Sequence, residues 1–344
     1  MKKVDKELFK KIATILGPVG TSIVVLTHHN PDGDAVGSAI GLANLLANRG
    51  HKTSIVFPND FPAYYNWIVV KGELLFYNRQ KGKVKKAFND CEILICVDFN
   101  TISRAGKVEK YIQNFKGSTI LIDHHPDPEN FCNCTVSDVT YSSTAELIFD
   151  FITELGLKKF MDISVAECLY TGIMTDTGSF SHNISEPNTY TVVAELLLQG
   201  IDAEKIHSNV YHKFSPDRMR FLGYCLHEKM ELLPEFRTAI ISITRDELKK
   251  FNFVPGDTEG FVNYPLSVAG IVFSALFIEK DDHVKISFRS KGAFPVNHFS
   301  SNHFSGGGHR NAAGGEEYAN LENTLAKFRQ LLPEYLHQLV NAEN

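Results

Sequence analysis

Ser22-Ile-Val-Val-Leu-Thr27 runs directly into His28-His29-Asn30-Pro31-Asp32-Gly33-Asp34. The apolar run has the character of a buried parallel strand, and the alanine- and leucine-rich Ala35–Arg49 that follows has that of a helix closed by Gly50. An imidazole and two carboxylates are thereby delivered at a strand's C-terminal end, where open α/β sheets bind ligands. His28, Asp32 and Asp34 offer the N and O donors that suit Mn²⁺ or Mg²⁺. Pro31 fixes the turn, and Gly33 leaves its backbone unhindered so that both aspartates can converge. Taken alone, the cluster also fits a polar turn with a capping aspartate.

Outward from this segment, strand-like and helix-like stretches alternate. Lys52–Phe57, Ile93–Val97 (ending at Asp98) and Thr119–Ile122 (ending at Asp123-His124-His125) read as further strands. Helical patterns cover Lys83–Phe88, Ser103–Phe115, Ser142–Leu155, Ile163–Met174 and Asn188–Gln199. The expected fold is α/β: a doubly wound parallel sheet over residues 1–198, then a linker at 199–216. A second, smaller α+β domain over 217–344 lies across a cleft. There Ser215-Pro216 caps a helix running to His227, Arg237–Thr244, Ala269–Glu279 and Val284–Arg289 are strands, and Leu321–Val340 is a terminal helix. No internal repeat is visible.

The chain has 344 residues, 43% hydrophobic and 22% charged, which suits a two-domain globular protein. Its net charge of −5 argues against a broad duplex-DNA surface. The six cysteines form no zinc framework, and a reducing cytoplasm fits them better than a disulfide-rich setting. Met1-Lys2-Lys3 has the charge of a signal peptide, but Asp5, Lys6, Glu7, Lys10 and Lys11 interrupt any apolar region. An amphipathic helix with Leu8, Phe9, Ile12 and Leu16 inward is the simpler account. No stretch approaches the ~20 apolar residues of a membrane span.

Four polar clusters end strands or helices: His28/Asp32/Asp34, Asp98, Asp123/His124/His125, and Asp176. In a parallel sheet the C-terminal strand ends share one edge, so these groups would meet in one crevice. Gathered carboxylates repel one another unless cations neutralise them. Six or seven O/N donors without a thiolate point to two hard or borderline ions rather than structural zinc. Two such ions roughly 3.5–4 Å apart suit in-line phosphoryl displacement.

His28-x-x-Pro31-Asp32-Gly33-Asp34, Asp98, Asp123-His124-His125 and Thr175-Asp176-Thr177 resemble, in order and spacing, the four motifs of the DHH phosphoesterase family. Phe288-Arg289-Ser290 and Ser305-Gly306-Gly307-Gly308-His309-Arg310-Asn311-Ala312-Ala313-Gly314 resemble its DHH-associated domain, with Ser305 where a fourth glycine often stands. The resemblance implies metal ligands at His28, Asp32, Asp34, Asp98, His124 and Asp176, with Asp98 bridging. It puts His125 against the substrate phosphate and gives Asp123 an orienting role. The family spacing selects His28 and leaves His29 a bystander. In the second domain, Arg289 and the loop Gly306, Gly307, Gly308, His309 would bind a phosphate, aided by a helix N-terminus after the glycines. Arg104 is as much a phosphate or interface residue as a surface one. His182 and His303 read as structural or surface, and Phe61, Tyr64, Tyr65 and Trp67 mostly as core.

The implied activity is that of the oligoribonuclease/pAp-phosphatase branch. It hydrolyses short single-stranded oligonucleotides, or 3′-phosphoadenosine 5′-phosphate (pAp), with two divalent cations, Mn²⁺ in preference to Mg²⁺. The implied enzyme is a cytoplasmic homodimer without a membrane or duplex-DNA partner. An inorganic pyrophosphatase or exopolyphosphatase of the same superfamily, or a non-catalytic nucleotide-binding regulatory module, are the alternatives.

Overall fold

A computed structural model describes residues 5–17, 19–184 and 186–342, and the chain divides into two compact units that meet at Lys213/Phe214. Residues 1–4 and 343–344 of the expected domains lie outside the described residues.

In the first unit α1 (Lys6–Ile15) precedes β1 (Ser22–Leu26), α2 (Gly33–Asn48), β2 (Lys52–Phe57), β3 (Glu73–Phe76) and α3 (Tyr77–Asp90). There follow β4 (Ile93–Val97), α4 (Glu109–Gln113), β5 (Ser118–Asp123), β6 (Cys134–Ser137), α5 (Thr144–Glu154), α6 (Ile163–Asp176), α7 (Pro187–Leu197) and α8 (Ala203–Tyr211). The sheet order is β3-β2-β1-β4-β5-β6, all parallel. The uninterrupted apolar runs arise because both faces are covered. Ile23 and Val25 of β1 join one core with α1, α2, α5 and α6, while Val24 and Leu26 join another with α3 and α4. Phe9, Ile12 and Leu16 are buried as expected of the amphipathic first helix.

Two short strands, β3 and β6, escaped the sequence reading, and Ser103–Phe115 is only half α-helical, since Ile102–Val108 winds as a 3₁₀ turn. The stretch 199–216, expected as a linker, carries α8, whose buried Ile206 and Val210 belong to the first core.

α2 and α6 lie unusually close because glycines face each other. A Cβ on Gly37 would stand 2.4 Å from the Cys168 carbonyl oxygen and 2.8 Å from the Gly172 nitrogen. A Cβ on Gly172 would stand 2.5 Å from Ala145 Cβ and 2.7 Å from Asp34 Oδ1.

The second unit comprises α9 (Pro216–Tyr224), β7 (Met230–Leu233), β8 (Thr238–Ile243), α10 (Arg245–Lys250), β9 (Phe273–Glu279), β10 (Val284–Ser290), α11 (Val296–His303), β11 (Gly307–His309), β12 (Ala312–Glu317) and α12 (Leu321–Val340). Its sheet runs β11-β12-β10-β9-β8-β7, with β8 and β9 parallel and the other pairs antiparallel. Phe273, Phe277 and Phe288 pack on one face with Phe299 of α11 and Phe328 of α12. Ile241, Ile243, Leu276 and Ile278 pack on the other with Phe221 and Leu222 of α9. That is the expected α+β unit.

Candidate metal centre

β1, β4 and β5 end side by side, and each releases an acidic or imidazole group at the same edge. Asp32 caps α2: its Oδ1 accepts from the Asp34 and Ala35 amides at 3.1 and 3.0 Å. Asp32 thus caps the helix, and the same Oδ1 lies 4.0 Å from His28 Nε2, with the side chain 50% exposed. Asp98 follows β4 with φ of 65°, a left-handed conformation that costs a non-glycine residue about 1–2 kcal/mol. Backbone strain of that kind accumulates where a side chain must be aimed.

The two imidazoles are oriented by the backbone. His28 Nδ1 lies 2.9 Å from the His29 carbonyl oxygen, and His124 Nδ1 lies 3.1 Å from that of Tyr141. A carbonyl can only accept, so each Nδ1 carries the hydrogen, and Nε2 is the ring atom turned toward the carboxylates. His28 Nε2, buried, stands 3.4 Å from Asp98 Oδ2. His124 Nε2 stands 3.4 Å from Asp176 Oδ2 and 3.9 Å from both Asp34 Oδ2 and Asp98 Oδ1. Lone pairs facing carboxylate oxygens at these distances repel unless a proton or a cation lies between them. His28, Asp32 and Asp98 form one group able to hold an ion, and Asp34, His124 and Asp176 form another. Asp98 faces both, Oδ2 toward His28 and Oδ1 toward His124. The donor set, with imidazole nitrogen, carboxylate oxygen and no thiolate, fits a pair of Mn²⁺- or Mg²⁺-class ions.

Burial, reinforced by the Asp98 and Asp176 charges, pushes the Asp34 carboxyl well above its ordinary value. Burial also opposes ionisation of Asp98, but His28, His125 and His124 around it outweigh that and hold it below the usual carboxylate range. His125 Nδ1 donates to Asp123 Oδ1 at 2.8 Å, and its amide reaches Asp123 Oδ2 at 3.2 Å. Asp123 is thus the orienting group of His125. Burial and the Asp98 charge push Asp123 up to about 7. Burial, with Arg104 and His124 beside it, holds His125 well below the ordinary histidine value. The Arg104 charge is therefore felt at the cluster.

His29 is exposed, and its peptide group serves the site: the carbonyl takes the His28 hydrogen, and the amide donates to the Arg104 carbonyl at 2.7 Å. His29→Ala is accordingly expected to leave metal-dependent turnover within about twofold of the parent, as befits a surface substitution. A tenfold loss in a steady-state assay would make the ring a participant. His182 is a surface residue beside Ser181, and His303 bonds the Tyr335 hydroxyl at 2.7 Å. Tyr65 is fully buried and Phe61 packs on Phe57 and Phe76, as core residues do. All six cysteines are free thiols.

Thr144 escaped the sequence reading. It opens α5, donates its hydroxyl to Asp98 Oδ1 at 2.9 Å and its amide to Asp34 Oδ2 at 2.7 Å. The usable signal was Ser143-x-x-Glu146, a helix-start pattern that places Thr144 at the first helical position.

In the second unit Arg289 lies on β10 on the same face as Lys285 and Ser287, with Nη1 on the Phe288 carbonyl at 2.9 Å. The glycine run departs from expectation. No helix follows it: Gly307–His309 is β11, Arg310 and Asn311 make the turn, and Ala312–Glu317 returns as β12. The glycines serve close strand packing, since a Cβ on Gly306 would stand 2.0 Å from the Gly314 oxygen and 2.2 Å from Ser300 Oγ. Gly308, at φ of 140°, would place one 2.6 Å from the Ala312 oxygen. The helix-dipole part of the expected phosphate site therefore falls away. Of Gly306, Gly307 and Gly308, only Gly307 has open space where a Cβ would stand.

An all-parallel sheet whose C-terminal edge gathers His-x-x-Pro-Asp-Gly-Asp, a lone aspartate, Asp-His-His and a helix-terminal aspartate defines a histidine–aspartate α/β domain with a distinct mixed-sheet domain behind it in sequence. Residues 22–173 match the N-terminal domain of the DHH family and residues 238–338 match the DHHA1 domain, and the chain belongs to the DHH family. It is 29% identical over 304 residues to the probable bifunctional oligoribonuclease and PAP phosphatase NrnA of Streptococcus mutans, covering 88% of this chain and 91% of that protein. It is 28% identical to the bifunctional oligoribonuclease and PAP phosphatase NrnA of Thermus thermophilus, covering 90% and 88%. Among solved structures, an exopolyphosphatase-related protein from Bacteroides fragilis superposes with a TM-score of 0.92 at 36% identity, covering 98% of this chain and 99% of that one.

Proposed function

We propose that the chain is a phosphoesterase dependent on two divalent cations, hydrolysing short single-stranded oligonucleotides and pAp. The observation that carries this reading is the pair of backbone-oriented imidazoles whose Nε2 atoms face the buried carboxylates of Asp98 and Asp34. The two DHH relatives named above bear oligoribonuclease and PAP phosphatase names, which supports the substrate class.

In this reading His28, Asp32 and Asp98 would hold one ion and Asp34, His124 and Asp176 the other, with Asp98 also facing the second group through Oδ1. When bound, the ions supply charge neutralisation and lower the pKa of the attacking water. His125, held by Asp123, turns its remaining nitrogen toward the substrate phosphate, with Arg104 adding positive charge. Arg289, Gly306, Gly307, Gly308 and His309 are proposed to contact the substrate's phosphate, Arg289 by its guanidinium and Gly307 on the side where a Cβ would meet nothing. Mn²⁺ is the preferred ion. The enzyme works as a cytoplasmic homodimer, suggested by the family resemblance and the free cysteines and tested by light scattering and fractionation. The described helices include none long and apolar enough to cross a membrane.

The discriminating assay compares pAp, a fluorescent diribonucleotide and pyrophosphate, each with Mn²⁺ and with Mg²⁺. Turnover of pyrophosphate alone would defeat the oligonucleotide reading. Independently of turnover, Mn²⁺ at one hundred times its dissociation constant is expected to stabilise the fold by about 2.7 kcal/mol. In a domain of this size that raises the melting temperature by roughly 5–10 °C. An unmoved melting curve up to millimolar Mn²⁺ would contradict a metal centre here.

A further inference from the structure

The geometry points to Thr144 as a positioning residue that holds one carboxylate of each metal group at once, Asp34 through its amide and Asp98, which faces both groups, through its hydroxyl. This rests on the two-metal reading above. Thr144 Oγ1 donates to Asp98 Oδ1 at 2.9 Å, and Thr144 N–H donates to Asp34 Oδ2 at 2.7 Å. Asp98 faces both groups, and Asp34 belongs to the second. Each bond occupies one lone pair on an oxygen that also faces His124 Nε2, and thereby settles which lone pairs remain for an ion.

Thr144 is itself held. Ser143 caps α5 by accepting from the Glu146 amide at 3.1 Å. Glu146 is buried, and its Oε2 accepts from the Ser142 amide at 3.0 Å, the Ser142 hydroxyl at 2.6 Å and the Thr189 hydroxyl at 2.9 Å. Its Oε1 accepts from Asn188 Nδ2 at 2.8 Å. A carboxylate with four donors pins the first turn of α5, and with it the direction of the Thr144 side chain. The Ala145 amide and the Ser38 hydroxyl complete the cradle of Asp34 Oδ1, at 2.9 and 3.1 Å. The amides would survive most substitutions at 144, whereas the hydroxyl is specific to threonine and serine. The Asp98 bond is therefore the part that side-chain chemistry contributes.

The test is Mn²⁺ binding by calorimetry to the parent protein, Thr144→Val, Thr144→Ala and Thr144→Ser, with far-ultraviolet dichroism as the fold control. Valine keeps the volume and puts a methyl where the hydroxyl met Asp98. Alanine removes the group without crowding, so the two guard against a failure to fold in either one. Both are expected to weaken Mn²⁺ binding by roughly 10–100-fold, the usual effect of losing a partner of a metal ligand. Serine should restore binding to within about threefold, which a purely structural role for the side chain's bulk would not produce. If the parent binds two ions and the alanine variant binds them equally tightly, the role of Thr144 is overturned and the metal centre stands. If the parent binds no ion, the two-metal reading falls and the inference with it.

Discussion

Asp98→Asn is expected to lower metal-dependent hydrolysis of pAp or a diribonucleotide on the order of 10³-fold while leaving the metal-free fold at least as stable as the parent's. The loss corresponds to several kcal/mol of transition-state charge stabilisation, each 1.36 kcal/mol being tenfold in rate. Asp98 is the carboxylate that faces both metal groups, with Oδ2 3.4 Å from His28 Nε2 and Oδ1 3.9 Å from His124 Nε2. An amide at this position still accepts the Thr144 hydroxyl through its oxygen. Its nitrogen can donate to the His28 lone pair, an arrangement that a carboxylate cannot make without a proton or an ion. The substitution therefore separates function from folding cleanly. The Mn²⁺-induced rise in melting temperature should vanish together with turnover. Turnover unchanged by Asp98→Asn would remove this aspartate from the mechanism.

Gly172→Ala is expected to cost about 3 kcal/mol of stability and to weaken metal binding in the same stroke. Overpacking a well-filled core usually costs about 1–3 kcal/mol, and this site belongs at the upper end because neither neighbour can swing aside. The added methyl would meet Ala145 Cβ at 2.5 Å and Asp34 Oδ1 at 2.7 Å. Ala145 belongs to the pinned first turn of α5, and Asp34 Oδ1 is held by two donors. A fall in melting temperature of roughly 6–12 °C is the corresponding observable. Gly82→Ala serves as the control. It lies inside α3, meets nothing within 4 Å, and should gain about 0.5–1 kcal/mol from helix propensity alone. Equal melting temperatures for Gly172→Ala and the parent would show that α2, α5 and α6 are less tightly fitted than their glycines indicate.

The doubly buried strands were legible because β1, β4 and β5 show long apolar runs that only a covered parallel sheet accommodates. β3 and β6 were not, since four residues at or next to a sheet edge give too little pattern. The terminal helix was read to the residue, its apolar stripe being long and regular. β11 and β12 were misread because glycine and alanine carry no alternation, so their strand character comes from pairing, β12 with β10 and β11 with β12. α8 was hidden by a polar, histidine-bearing face. At the candidate site, the acidic and imidazole clusters at the strand and helix ends of the first unit were visible in the sequence, and the fold brings them within reach of one another. Thr144 stands 46 residues from Asp98, and nothing local in sequence announces a hydroxyl reaching that far in space.

Two of the groups that arrange the imidazoles are the carbonyls of His29 and Tyr141, which every amino acid possesses. Positions 29 and 141 can thus change their side chains without changing what they give to the ligands, provided the loop keeps its path. The Tyr141 side chain has its own task, buried in the core and donating to Asp150 Oδ2 at 2.6 Å, whereas at positions 28 and 124 a single replacement removes a donor. A library randomised across residues 28–34 should sort sharply between tolerant and intolerant neighbours, and the boundary would fall between two adjacent histidines.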